Sequence, residues 1–309
     1  MMTYNLSQYQ SKSLSGSREP LISVIIPAYN AEATVEAAIR SVQAQTWQPF
    51  EIIVVEDGSN DGTAALVSGL QPSVTLVRQP NGGCGEARNT GVRSASGTWL
   101  AFLDADDQWL PGKLAAQVPE TTDPEVAVVS CRATRDQGKP SGPRIVFDDL
   151  WLQNKVVVSS SLVRRSAFEQ AGGFWSRRAC EDYHLWLRLT AAGWKIAICP
   201  DKLVVYTPVE ASLSRQTASF AAAEIACIQD IAARCGIPSG RLRKRLLACH
   251  LKHSRGAVHT RDMNCARALA FTSLRYGLSV EQLRQLAISC LPASVLDFRR
   301  RALSAASAP

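Results

Sequence analysis

Thr98-Trp99-Leu100-Ala101-Phe102-Leu103-Asp104-Ala105-Asp106-Asp107 is an apolar run that ends in three carboxylates. The apolar part reads as a buried strand, and the acids fall where the chain should leave the sheet. Like charges this close repel, so they are tolerated either in solvent or around a cation. Mg²⁺ and Mn²⁺ take oxygen ligands and share them with phosphate, which suits an Asp-x-Asp pair at a strand end. A solvated acidic turn has the same appearance taken alone, so the surrounding chain decides.

Upstream, three more strand signals precede it. Leu21 to Ile26 stops at Pro27-Ala28-Tyr29-Asn30, and Asn30 reads as the N-cap of a helix from Ala31 to Gln45. That helix puts Val35, Ala38, Ile39 and Val42 on one face. Glu51 to Val55 ends in the polar turn Glu56-Asp57-Gly58-Ser59-Asn60-Asp61-Gly62-Thr63, followed by a helix over 63–70. Val74 to Val77 opens into Asn81-Gly82-Gly83-Cys84-Gly85 and a helix carrying Glu86, Ala87, Arg88 and Asn89. This β-α alternation predicts a mostly parallel sheet with helices on both faces. Ligands of such sheets lie beyond the C-terminal strand ends, where Tyr29, Asp57, Arg88, Asp104 and Asp106 converge.

Downstream, Trp109-Leu110-Pro111 leads into a helix and Val126 to Ser130 reads as a strand. Residues 132–149 read as a loop, Val156 to Val163 as a strand, and 165–171 as a helix stopped by Gly172-Gly173. Phe174 and Trp175 follow in a loop. Cys180-Glu181-Asp182-Tyr183-His184 opens a helix whose acids sit where the dipole favours them. Successive helical residues point about 100° apart, so only one of Glu181 and Asp182 can aim squarely into a site. Ile196 to Cys199 and Leu203 to Tyr206 read as two closing strands. From Arg215 onward Ala, Leu and Arg dominate and strand signals vanish. The expected organisation is a disordered tail over 1–20, an α/β domain over 21–214 and a basic helical region over 215–309.

The 309 residues are 46% hydrophobic and 20% charged, enough for a sizeable core, and carry a net charge of +7. No stretch is apolar enough to span a bilayer, and the N-terminus lacks the pattern of a secretory signal. Nine cysteines without a CxxC pair point to reduced thiols and a cytoplasmic location. Cys180 and His184 have zinc-like spacing but no partner pair, which favours packing. His250, His253 and His259 read as surface residues. The basic helices read as a solvated face or as a peripheral contact with anionic membrane.

Together, SVIIPAYN (23–30), IIVVEDGSNDGT (52–63), EARNTG (86–91), FLDADDQWLPGKL (102–114), GGF (172–174) and EDYHLWLRL (181–189) resemble the family 2 glycosyltransferases. The resemblance covers roughly residues 20–215. It implies a GT-A fold (Rossmann-like, mostly parallel) ahead of the helical C-terminal region read from composition, a nucleotide-diphosphate sugar donor, a divalent metal (Mn or Mg) and an inverting transfer. Carried over, Pro27, Ala28 and Tyr29 line the nucleoside pocket, and Asp57 hydrogen-bonds the base. Arg88 lies near the base or diphosphate. Asp104 faces ribose or metal, Asp106 binds the metal, and Asp182 is the general base. Glu181 and Trp175 are candidates for acceptor or donor contacts, although Trp175 also fits a buried aromatic. The acceptor class is a saccharide or lipid-linked sugar, with no nucleic acid partner. Two positions depart from the family pattern. Glu56 stands where Asp is usual, and Val209 stands where a metal-binding His is common, with Glu210 as its neighbour. A degenerate nucleotide-sugar binder without transfer activity is the rival reading. A Rossmann dehydrogenase is disfavoured by Arg88 at the third glycine position. A phosphatase is disfavoured because three strands precede the Asp-x-Asp.

Overall fold

The computed structural model describes residues 19–70, 73–136, 142–207 and 217–291. Val209, Glu210 and nearly all of the expected 1–20 tail lie outside these residues. The chain divides into two compact units, residues 1–209 and 210–309.

The first unit opens on β1 (Ile22–Ala28), α1 (Val35–Gln43), β2 (Phe50–Glu56), α2 (Thr63–Ser68), β3 (Thr75–Arg78), α3 (Cys84–Ser94) and β4 (Trp99–Phe102). It continues through β5 (Gln108–Trp109), α4 (Lys113–Gln117), β6 (Val126–Ala133), β7 (Arg144–Ile145), α5 (Phe147–Leu152), β8 (Ser161–Arg164), α6 (Arg165–Ala171), α7 (Glu181–Ala191) and β9 (Lys195–Val205). The sheet runs β3-β2-β1-β4-β8-β6-β9-β5, and β7 pairs with β9. The first four strands are mutually parallel, as the alternation predicts. Both sheet faces are covered. Ile52 and Val54 join the core beneath α1, whereas Ile53 and Val55 pack with Ala87 of α3. That two-residue period explains the continuous apolar runs of these strands.

The second half departs from the prediction. β8 lies antiparallel between β4 and β6, so the sheet is mixed. The expected loop over 132–149 contains β7 and the start of α5. The two expected closing strands are one strand, β9. Its register against β6 passes from Ser130↔Ile198 to Arg132↔Lys202, so Cys199, Pro200 and Asp201 bulge opposite Cys131. Proline needs no ladder hydrogen bond there.

Asn30 is not a helix N-cap. Its φ is 47°, and its side-chain oxygen accepts from the Asn60 N–H (2.9 Å). The loop after β1 is stitched to the loop after β2, and α1 begins only at Val35.

The second unit comprises α8 (Thr217–Arg234), α9 (Ser239–His259), α10 (Met263–Ser273) and α11 (Val280–Ser289). His250 and His253 are buried, contrary to the surface reading. Glu224 on α8 is the cause for His253. Its carboxylate accepts from His253 (2.8 Å), Lys252 (2.9 Å) and the buried Arg245 (2.8 Å), all on α9. His250 bonds the Leu246 carbonyl through Nδ1 (2.8 Å). No described helix is long and apolar enough to cross a membrane.

Candidate active site

Strands β1 and β4 are neighbours, whereas β2 and β3 extend from the other side of β1. The order therefore reverses between β1 and β4, which is where open α/β sheets bind ligands. Pairing of β1 with β4 stops at Ile25↔Phe102. Pro27 lies beyond that pair, so the crevice begins there. Pro27 and Ala28 are buried at the end of β1, and Tyr29 next to them is 49% exposed.

Asp57 follows β2 and is nearly fully buried. Its carboxylate accepts from Gln79 Nε2 (2.7 Å) and the backbone N–H groups of Gly82 (2.8 Å) and Gly83 (2.9 Å). Three of about four acceptor positions are thus used by the loop before α3. Gly58 beside it has φ of +75°, and a Cβ there would stand 2.8 Å from the Asn81 nitrogen. The turn that aims Asp57 at this loop therefore needs glycine.

Asp104, Asp106 and Asp107 follow β4. Each offers a carboxylate oxygen within 4.8 Å of the others. Burial first, and then the Asp104 charge, raises the Asp106 carboxyl above its ordinary range. The same two causes push Asp107 up to about 7. Asp107, absent from the sequence-derived ligand set, is buried and accepts from the Thr207 N–H (3.2 Å) just past β9. Clustered hard oxygens whose negative charge is disfavoured by burial and by one another suit a divalent cation.

Arg88 on α3 links this cluster to the far side of the site. It is 2% exposed. Its Nη2 donates to Asp104 Oδ1 (2.6 Å) and its Nη1 to Glu181 Oε1 (2.7 Å). Its Nε has no hydrogen-bond partner among the described residues, and its guanidinium carbon lies 5.4 Å from the centre of the Phe174 ring. Burial disfavours the charge, but Asp104 and Glu181 more than offset it and raise the pKa. Asn89, also missed in the sequence, holds the Phe174 backbone by both its N–H (2.9 Å) and its carbonyl (3.0 Å). α3 thus fixes the 174–181 loop from two adjacent residues.

Glu181 and Asp182 begin α7 and diverge, as the helical spacing requires. Glu181 meets Arg88. Asp182 accepts from its neighbour's N–H on Tyr183 (2.6 Å) and from Asn154 (3.3 Å). Burial, and then the Glu181 charge, pushes Asp182 up to about 7. Trp175 is half-buried and stacks on His184, with ring centres 4.2 Å apart. Cys84, at the start of α3, lies within electrostatic reach of Asp57, Arg88, Asp104 and Glu181 at once. Loops from four separate elements thus face one place. Among the described residues the other group with metal-ligand chemistry is Glu224, Cys249 and His253. Arg245 and Lys252 already neutralise Glu224 there.

A crevice of this kind, with carboxylates at the β4 end and a raised acid at the start of a facing helix, sits on a GT-A type glycosyltransferase fold. A mannosyltransferase from Pyrobaculum calidifontis, solved with GDP-Man and Mn²⁺, superposes with a TM-score of 0.64 at 23% identity. That match covers 93% of this chain and 81% of the other. TarS 1–349 of S. aureus, solved with UDP-GlcNAc, gives 0.63 at 16% identity over 83% of this chain and 81% of its own. Residues 23–178 match glycosyl transferase family 2, and the chain belongs to that family. Among relatives, an Escherichia coli UDP-Glc:alpha-D-GlcNAc-diphosphoundecaprenol beta-1,3-glucosyltransferase, WfgD, is 42% identical over 100 residues. The match covers 32% of this chain and 40% of that protein. An uncharacterized glycosyltransferase of Rickettsia prowazekii is 39% identical over 99 residues, 32% of this chain and 31% of its own. An uncharacterized Haemophilus influenzae glycosyltransferase is 31% identical over 182 residues, 55% of this chain and 62% of its own. The chain thus matches 40%, 31% and 62% of these three relatives' own lengths.

Proposed function

We propose that this protein is an inverting glycosyltransferase that moves a sugar from a nucleotide-diphosphate sugar to an acceptor hydroxyl. The observation that carries the reading is the single buried guanidinium of Arg88, which ties Asp104 of the carboxylate cluster to Glu181 beside Asp182. The end of the site suited to a diphosphate and the end suited to a base are thereby held in one fixed relation, the positioning that transfer chemistry needs.

Asp182 takes the proton of the acceptor hydroxyl as that oxygen attacks the anomeric carbon. The new carbon–oxygen bond forms on the face opposite the departing diphosphate, and the bond to the diphosphate oxygen breaks with its electron pair. Configuration inverts in this single displacement. Asp104 and Asp106, with Asp107 behind them, would hold Mg²⁺ or Mn²⁺, which supplies positive charge to the leaving diphosphate when bound. Pro27, Ala28 and Tyr29 form one wall for the nucleoside, and Asp57 has an acceptor position left for a base N–H. The acceptor is a saccharide or a lipid-linked sugar, a class that includes the acceptor in the name of the Escherichia coli relative.

The purified chain, incubated with UDP-, GDP- and dTDP-sugars and Mn²⁺, should release nucleoside diphosphate in an acceptor-dependent way. Proton NMR of the product should show the anomeric configuration opposite to the donor's. Asp182→Asn should reduce transfer by roughly a hundredfold or more while nucleotide binding persists. A variant within a few fold of wild type would remove Asp182 from the base role. Donor binding without turnover of any donor would favour the degenerate binder.

A further inference from the structure

Helix α11 buries three polar residues and exposes apolar ones on the opposite side, with Leu286 and Ile288 half-buried at its flanks. Gln282, Gln285 and Ser289 are buried, at i, i+3 and i+7 on one face. Gln282 Nε2 donates to the carbonyls of Ser273 and Gly277, both at 2.8 Å, which fastens that face to the end of α10. The opposite face carries Val280, 85% exposed, and Leu283, 53% exposed, then Ala287 and, just past the helix, Leu291. At about 100° per residue these four fall within one arc. On α10, Arg267 and Phe271 are exposed four residues apart, with Phe271 67% exposed, and Arg275 is exposed in the turn just past the helix. Leu278, between the helices, is 75% exposed. Arg267 donates to the Ser289 carbonyl (3.2 Å), which ties α10 to the buried side of α11. A helix facing water shows the reverse arrangement. Single exposed apolar residues are ordinary, whereas a contiguous arc marks a contact surface.

Charge selects the occupant. Residues 210–309 contain fifteen Lys and Arg and six Asp and Glu, a net +9, which leaves −2 for residues 1–209. Arg267, Arg275 and Arg284 are exposed along the same two helices and the turn between them, and the sequence beyond Leu291 adds Arg299, Arg300 and Arg301. A second copy of the unit would set +9 against +9, which opposes self-association. An apolar arc edged by guanidiniums instead matches a negatively charged bilayer surface. We propose that the α10–α11 face docks on an anionic lipid bilayer. Phe271, Leu278, Val280 and Leu283 enter the acyl boundary, and Arg267, Arg275 and Arg284 meet the lipid phosphates. This proposal is independent of the transfer chemistry.

The test is flotation of the full chain with vesicles of phosphatidylcholine alone or with added phosphatidylglycerol. The protein should float with the anionic vesicles only, and less of it at high salt. Phe271→Ser, Val280→Ser and Leu283→Ser combined should lower partitioning about tenfold or more, since each removes apolar surface from the boundary. These positions are exposed, and circular dichroism checks that the helices persist. Hydrogen exchange on the unsubstituted chain gives a second readout. Amides of 278–291 should gain protection with anionic vesicles. Equal recovery on both vesicle types, unaltered partitioning of the triple variant, or no gain in protection would each overturn the proposal. So would a dimer that the triple variant dissolves in a chain that ignores vesicles.

Discussion

At the scale of single residues, burial and neighbouring carboxylates disfavour the charge of Asp106, Asp107 and Asp182. Asp182, the proposed base, is pushed up to about 7 by burial and by Glu181, and in that role it would act only when ionised. Transfer measured at saturating Mn²⁺ should therefore climb as pH rises through about 7 and level off above it. A bound cation keeps Asp106 and Asp107 ionised, so the arm reports Asp182. The Asp182→Asn variant should lack it, as kcat against pH would show. A flat profile in the wild type from pH 5 upward would assign the base elsewhere. The clustering of acids at strand ends and at a helix start, together with the family resemblance, singled out Asp57, Asp104, Asp106 and Asp182 as candidates. The work of Arg88 was not legible. Its partner Glu181 is 93 residues away, and sequence spacing carries no information about such a contact. Asn89's hold on Phe174 and Asp107's bond to Thr207 escaped for the same reason, since each joins residues far apart in the sequence.

At the scale of elements, α3 is the most constrained, because it must lie close enough to the sheet for Arg88 and Asn89 to reach across. Gly91 makes that approach possible. A Cβ there would stand 2.5 Å from Ile25 Cγ2 and 3.1 Å from Val55 Cγ2. Gly91→Val should destabilise the fold by about 1–3 kcal/mol through overpacking, read as a lower midpoint in urea, and should weaken nucleotide binding by displacing Arg88. Unchanged stability would mean that α3 is not clamped there. In the helical unit the equivalent clamp is Glu224. Glu224→Gln should cost about 3–5 kcal/mol, because it takes the opposite charge from Arg245, whose side chain is 4% exposed. A melting temperature within a degree or two of wild type would contradict this. The first four strands and α6, with its left-handed Gly172, followed from periodicity and turn residues. The mixed half of the sheet did not. β8 is only four residues long, and Pro200 breaks the apparent run of β9 where the structure absorbs it in a bulge. Local pattern cannot reveal which neighbour a short strand will choose.

At the scale of the whole molecule, composition reported the division into two units better than any motif did. The shift near Arg215 separates a sheet-bearing unit from a strongly basic one whose described elements are all helices. It could not show that Arg245 is spent on a buried ion pair or that the apolar face of α11 points outward. The cation and the nucleotide are expected to be linked through the folded chain. Among the described residues the site offers three carboxylates, and Asp107 already accepts from the Thr207 N–H. Few protein oxygens are then left for an ion that takes about six ligands. The donor diphosphate would supply others, so each ligand should tighten the other by the same factor, as linkage requires. Calorimetric titration of Mn²⁺ into the full chain should show an affinity roughly 5–150-fold higher with UDP or GDP present than without. Ligands that bind the folded chain preferentially raise the melting temperature, so the two together should raise it by more than the sum of their separate effects. Asp106→Asn should abolish that excess. Equal Mn²⁺ affinity with and without nucleotide would mean that the protein completes the coordination by itself. A ligand beyond the three carboxylates would then have to be sought.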